Sequence, residues 1–80
     1  MPKNPYSPQQ VKLQELLRQL RLDSGLRQED LAKRLGRPQS FVSKYESGER
    51  RVDVLELREI CAVLGASLTE FVRRLEGDLD

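Results

Sequence analysis

Two short apolar stripes at helical spacing, separated by one glycine-bearing turn, constrain this chain more than any other feature. The first lies in Arg27-Gln28-Glu29-Asp30-Leu31-Ala32-Lys33-Arg34-Leu35-Gly36. The second follows without a gap, in Arg37-Pro38-Gln39-Ser40-Phe41-Val42-Ser43-Lys44-Tyr45-Glu46-Ser47-Gly48. Leu31, Ala32 and Leu35 recur at three- and four-residue intervals and so share one side of a helix. Ala32 is small where two helices would cross closely. Gly36 stands where a helix end takes a left-handed backbone. Pro38 lacks an amide hydrogen and suits the first turn of the next helix, expected over 38–46 and stopped by Ser47-Gly48.

The flanking segments read as three more helices. Ser7-Pro8 is an N-cap followed by proline at the first helical position. Val11, Leu13, Leu16, Leu17 and Leu20 then form a stripe that Gly25 ends. Asp53 with Glu56 makes a capping-box pattern for a fourth helix. Its face is Val54, Leu57, Ile60, Cys61 and Leu64, closed by Gly65. Ser67 with Glu70 repeats the pattern for a fifth helix carrying Leu68, Phe71, Val72 and Leu75, which Gly77 is expected to close. No alternating strand pattern occurs, so the expected fold is all-α, a five-helix bundle. Residues 1–7, with Pro2 and Pro5, are expected to be a flexible arm, 8–76 the folded domain, and 77–80 a frayed end.

Composition narrows the function classes. The chain has 80 residues, 38% hydrophobic and 34% charged, which suits one small helical domain. No apolar run approaches a membrane span of about 20 residues, and the N-terminus has no signal-peptide character. One cysteine, Cys61, excludes an internal disulfide and agrees with a cytoplasmic location. On the apolar face of the fourth helix it reads as a core thiol. The absence of histidine removes the usual general base and most zinc-site patterns. Neither an enzyme, a metal site nor a cofactor site is expected. The net charge of +1 is unevenly spread, with +5 over residues 1–51 and −4 over 52–80. The half containing the two stripes is therefore the basic one.

The third helix divides its sides by chemistry. Val42 and Tyr45 lie on one side, and Gln39, Ser40, Ser43 and Lys44 on the other. Gln pairs with adenine through two edges, Lys reaches guanine acceptors or a phosphate, and Ser bonds either class. Such a face alone is equally a solvated surface. The spacing of Gln28, Leu31-Ala32, Gly36, Val42, Ser43, Glu46 and Gly48 resembles the helix-turn-helix of the Cro and lambda-repressor type, the Xre-like family. The resemblance runs over roughly residues 13–75.

This resemblance implies a lambda-repressor-like bundle with a central helix-turn-helix, and a transcriptional regulator, such as a repressor or autoregulator, that binds double-stranded DNA. It implies base reading by Gln39, Ser40, Ser43 and Lys44 in the major groove. It implies phosphate contacts from Gln28, which would also brace Gln39, and from Arg37, Ser47, Arg50 and Arg51. The basic side chains at 50 and 51 are equally ordinary solvated charges. Arg21 and Glu46 match positions of a structural ion pair. The chain departs from the family pattern at Arg27 and Pro38, where capping hydroxyls are common. Phe41 either packs on the second helix, covers a thymine methyl or meets another protein, with packing favoured. Leu68, Phe71, Val72 and Leu75 are either the face of a homodimer or the lid of the monomer core. The competing function is a protein-interaction module, such as an antitoxin or accessory subunit, using an exposed Phe41 and the acidic C-terminal half.

Overall fold

The computed structural model describes residues 7–79, and apart from Ser7 the expected arm lies outside them. Five helices follow in order: α1 Pro8–Asp23, α2 Gln28–Leu35, α3 Gln39–Ser47, α4 Val54–Val63 and α5 Leu68–Leu79. The Ser7 hydroxyl accepts the Gln10 amide at 3.1 Å and starts α1. At α4, the Asp53 carboxylate accepts the Glu56 amide at 2.7 Å, and Glu56 returns the bond to the Asp53 amide at 3.0 Å. The Ser67 hydroxyl accepts the Glu70 amide at 3.0 Å.

Arg27 stands at the N-cap of α2 and has no acceptor to offer the first-turn amides. Asp30 supplies only the return half of a capping box, so the first-turn amides gain no side-chain acceptor from Arg27. Its carboxylate accepts the Arg27 amide at 3.0 Å and pairs with the Arg27 guanidinium at 3.1 Å. That guanidinium, mainly through its side-chain hydrogen bond, holds the Asp30 carboxyl below its ordinary pKa.

Pro38 is the N-cap of α3 rather than its first residue, with an extended backbone at ψ 152°. The expected 38–46 helix therefore occupies 39–47. Helix α5 also differs from expectation. It runs through Gly77 to Leu79, and Gly77 is not one of the positive-φ glycines. A glycine ends a helix when its backbone turns to positive φ, and Gly77 instead continues α5 at a modest propensity cost.

Gly36 shows what such a turn requires. Its φ of +69° lies in the left-handed region, and it caps α2 through bonds from its amide. A Cβ at Gly36 would meet nothing within 4 Å, so its cost is purely conformational. Gly36→Ala should lower unfolding free energy by about 1 kcal/mol, measured by urea titration. No loss would mean that this turn is not the strained element.

The core forms where α1, α2, α3, α4 and α5 converge: Leu16, Leu17, Leu31, Ala32, Phe41, Val42, Tyr45, Ile60, Cys61 and Phe71. Helix α3 packs on α2 and α1, α4 packs on α2, and α5 packs on α4 and α1. Val54, expected on the buried face of α4, is instead 64% exposed, and its neighbour Leu55 is 72% exposed. Both lie in the first turn of α4, whereas its buried residues, Ile60 and Cys61, lie in the second half of the helix. Among the described residues no helix is long and apolar enough to cross a membrane.

Candidate nucleic-acid interface

Helix α3 is anchored by its apolar stripe, since Val42 is fully buried and Tyr45 nearly so. Burial pushes the Tyr45 phenol far above its ordinary pKa and keeps it neutral. The opposite side presents Gln39, Ser40 and Lys44 as exposed residues and Ser43 as half-buried. Ser43 donates to the Ser40 carbonyl at 3.3 Å, and Ser47 donates to the Lys44 carbonyl at 3.1 Å. Lys44 makes no ion pair among the described residues. Four polar side chains without a carboxylate thus share one open face, held on a rigid helix.

The first flank of that stripe is pinned by Glu46. Arg21 reaches it from α1 with a forked pair, Nε to Oε2 at 2.7 Å and Nη2 to Oε1 at 3.0 Å. The two side chains are only 8% and 4% exposed. Arg21 spends a third donor on the Leu26 carbonyl at 2.8 Å. Its hydrogen bond to Glu46 raises its already high pKa, so Arg21 keeps its charge. Gln28 was expected to brace Gln39, but its Nε2 donates to Glu46 Oε1 at 3.0 Å. The reason is charge: a buried carboxylate is a stronger acceptor than a neutral amide. Arg18, Arg21, Gln28, Ser43, Glu46 and Ser47 line a polar cleft beside the open face.

The second flank is pinned through Phe41. Five positions apart, Phe41 and Glu46 fall about 140° apart around the helix, one on each side of the stripe. Phe41 is buried at 7% exposure and meets Tyr45 edge-on, with ring centroids 5.3 Å apart. Phe41 is thus a core residue rather than an exposed one, which takes away one of the two surfaces an interaction module would use. Arg37 and Arg50 cover its ring at 4.4 and 4.7 Å from the centroid. Both also reach Glu56, Arg50 at 2.8 Å and Arg37 at 3.4 Å. Arg37 and Arg50, expected as phosphate contacts, are also tied to α4 through Glu56. Arg51 and Ser47 remain exposed. Glu56 had no functional signal in the sequence, because its capping box with Asp53 already accounted for it. Arg18 was likewise one basic residue among many.

The Arg50 guanidinium, and then the Asp53 amide, hold the Glu56 carboxyl at about 2, below its ordinary 4.5. A depressed folded-state value means that this contribution is whole above about pH 4.5 and is lost as pH falls toward about 2. The urea midpoint should thus fall more steeply across this acid range in the wild type than in Glu56→Gln. Parallel curves would show that Glu56 carries no net linkage.

The α5 set divides. Phe71 is buried in the monomer core and Leu75 packs against it, whereas Leu68 is half-buried and Val72 is 38% exposed. Of the four residues expected as a dimer face, two are therefore occupied in closing the core, because α5 must cover α1 and α4.

A short helix, a left-handed glycine turn and a second helix with an open polar face, all locked to a helical scaffold, define a helix-turn-helix protein. A helix-turn-helix family profile matches residues 17–71. The chain belongs to this family, in its Xre-like branch, a class of non-enzymatic DNA-binding regulators of transcription. It is similar to an uncharacterized HTH-type transcriptional regulator, y4dJ, of Sinorhizobium fredii, with 40% identity over 53 residues, 66% of this chain and 69% of the relative. Its fold matches an XRE-family like protein from Pseudomonas syringae pv. tomato at a TM-score of 0.85 and 41% identity, over 91% of this chain and 89% of that one. It also matches the wild-type restriction-modification controller protein C.Esp1396I, at a TM-score of 0.82 and 26% identity, over 91% and 94% of the two chains.

Proposed function

We propose that this regulator reads a specific duplex DNA sequence with α3 in the major groove, as a cytoplasmic homodimer on an inverted repeat, and represses transcription or regulates its own gene. The observation that carries this reading is the open face of α3. Gln39, Ser40, Ser43 and Lys44 stand there without a carboxylate, and Lys44 is unpaired among the described residues. Gln and Lys supply directional readout of base edges, and the short serines allow close approach. The cleft beside Gln28, with Arg18 and Ser47 on its rim, suits a backbone phosphate that sets register. Arg51 adds a solvent-facing cation after α3.

Homodimerisation draws support from apolar side chains that the monomer leaves outside. Leu55 of α4 and Val72 of α5 are exposed on helices that pack on each other. An open groove on α5, lined by Leu68, Thr69, Val72, Arg73 and Glu76, is mainly apolar with both charge signs at its edge. Such a surface fits a self-complementary two-fold contact.

The test is selection of binders from a random duplex pool by the purified, folded protein, with sequencing of the survivors. An enriched inverted repeat with fixed half-site spacing supports a dimeric regulator. A single short site supports DNA reading by a monomer. No enrichment at low salt overturns the reading.

A further inference from the structure

Glu56 does more than its cap requires. The reciprocal cap of α4 uses Oε1 alone, which accepts the Asp53 amide at 3.0 Å. Yet both oxygens meet arginines from outside α4. Arg50 donates Nη1 to Oε1 at 2.9 Å and Nη2 to Oε2 at 2.8 Å, and Arg37 donates Nη1 to Oε2 at 3.4 Å. Arg37 precedes α3 and Arg50 follows it, so cations from both ends of the helix converge on one carboxylate and one aromatic ring. The second arginine is not needed to neutralise Glu56; Arg37, Arg50 and Glu56 by themselves carry one positive unit, beside the exposed Asp53 carboxylate that also acts on Arg50.

Its donors are also left over. A guanidinium has five N–H groups. Arg37 uses one of them within the protein, on Glu56. Arg50 uses Nη1 on both Glu56 and the Arg51 carbonyl, and Nη2 on Glu56. The two side chains remain 36% and 39% exposed, while Glu56 is only 12% exposed. Solvent therefore meets the free edges of the arginines and little of the carboxylate. Long cations ordered in advance lose less side-chain freedom on meeting an anion, and the planar fork suits phosphate oxygens.

We infer that Glu56 is a positioning residue for DNA binding: it holds Arg37 and Arg50 over Phe41 as one pre-set grip on a backbone phosphate beside the base-reading face. This rests on α3 being the DNA-reading helix. The arrangement has an opposite-sign consequence. A carboxylate near DNA repels phosphates, so its removal alone should tighten binding. Loss of a positioning carboxylate should weaken it.

The experiment compares wild type with Glu56→Gln, full chain, on the duplex selected by the wild type, across a salt series. Gln keeps the size and an oxygen for the Asp53 amide. The expected result is about tenfold weaker binding and a salt slope shallower by about one phosphate contact or more. Equal or tighter binding overturns the inference, as does an unchanged salt slope, because a merely structural role lowers Tm without altering counterion release. Arg37→Lys and Arg50→Lys form a second arm that leaves Glu56 intact. Both keep the charge and lose the flat fork, and each should weaken binding several-fold. Unchanged affinity in both overturns the inference even where Glu56→Gln unfolds. A folded wild type that selects no duplex removes the DNA-reading assignment and this inference together. A wild type that binds, beside a Glu56→Gln that binds as well, removes the inference alone.

Discussion

Arg21→Met should destabilise the fold by ~3–5 kcal/mol, because it strands a buried carboxylate. Glu46 would keep only the neutral Gln28 amide at 3.0 Å as a side-chain partner, in a site where its side chain is 4% exposed. The Leu26 carbonyl would lose its Arg21 donor as well. For a domain of this size the Tm should fall by at least ~12 °C. Arg74→Met is the control. Arg74 is exposed, lies outside the α5 groove lining and makes no ion pair among the described residues, so its replacement should change stability by no more than ~0.5 kcal/mol. Equal losses in the two variants would remove the special role of the pair. The double variant Arg21→Met with Glu46→Met should recover much of the loss, since replacing both charges removes the stranded one. Thermal melts and urea titrations on the three variants measure both effects. Recovery of stability without recovery of DNA binding would show that the pair serves the register of α3 rather than the stability of the bundle.

Lys44→Ala should change which base the protein prefers at one position of its site, by ~1–3 kcal/mol. Lys44 is exposed on the open face of α3, one turn after Ser40, with its ammonium unclaimed by any carboxylate among the described residues. An ammonium on a guanine edge discriminates between bases, whereas an ammonium on a phosphate does not. The measurement is competition binding against a panel of single-base variants of the selected duplex. A loss confined to one position establishes base readout. A uniform loss over the panel, with a salt slope shallower by about one, reassigns Lys44 to the backbone.

The two predictions address the two sides of one helix. Its buried side is fixed by Val42 and Tyr45, and its roll is limited on one flank by Glu46 and on the other by Phe41. A helix of nine residues has little stability by itself. Its orientation therefore has to come from its neighbours, and the two flanking clusters draw on α1, α2, α4 and the segments before and after α3. Small errors in roll would carry Gln39 and Lys44 away from any base edge. Rigid support at both flanks is the physical condition for reading sequence with so short an element.

What the sequence determined by itself was local. Helical periodicity placed five helices, and the caps at Ser7, Asp53 and Ser67 formed as their side-chain chemistry dictates. Gly36 and Gly48 marked the ends of α2 and α3 because glycine adopts the left-handed backbone there without the penalty a side chain carries. The open face of α3 was legible because residues four apart share a side whatever the fold. Tertiary structure decided everything that depends on which elements meet. It sent Gln28 to Glu46 instead of Gln39, exposed Val54, and turned Phe71 and Leu75 inward while leaving Val72 outside. It also brought Arg37, Arg50 and Glu56 together over Phe41, across 19 positions of chain from Arg37 to Glu56. Spacing along the chain encodes a helix face, because that geometry repeats every few residues. It does not encode a meeting of separate segments, whose partners are chosen by packing and by the requirement that a shielded charge find its counter-charge.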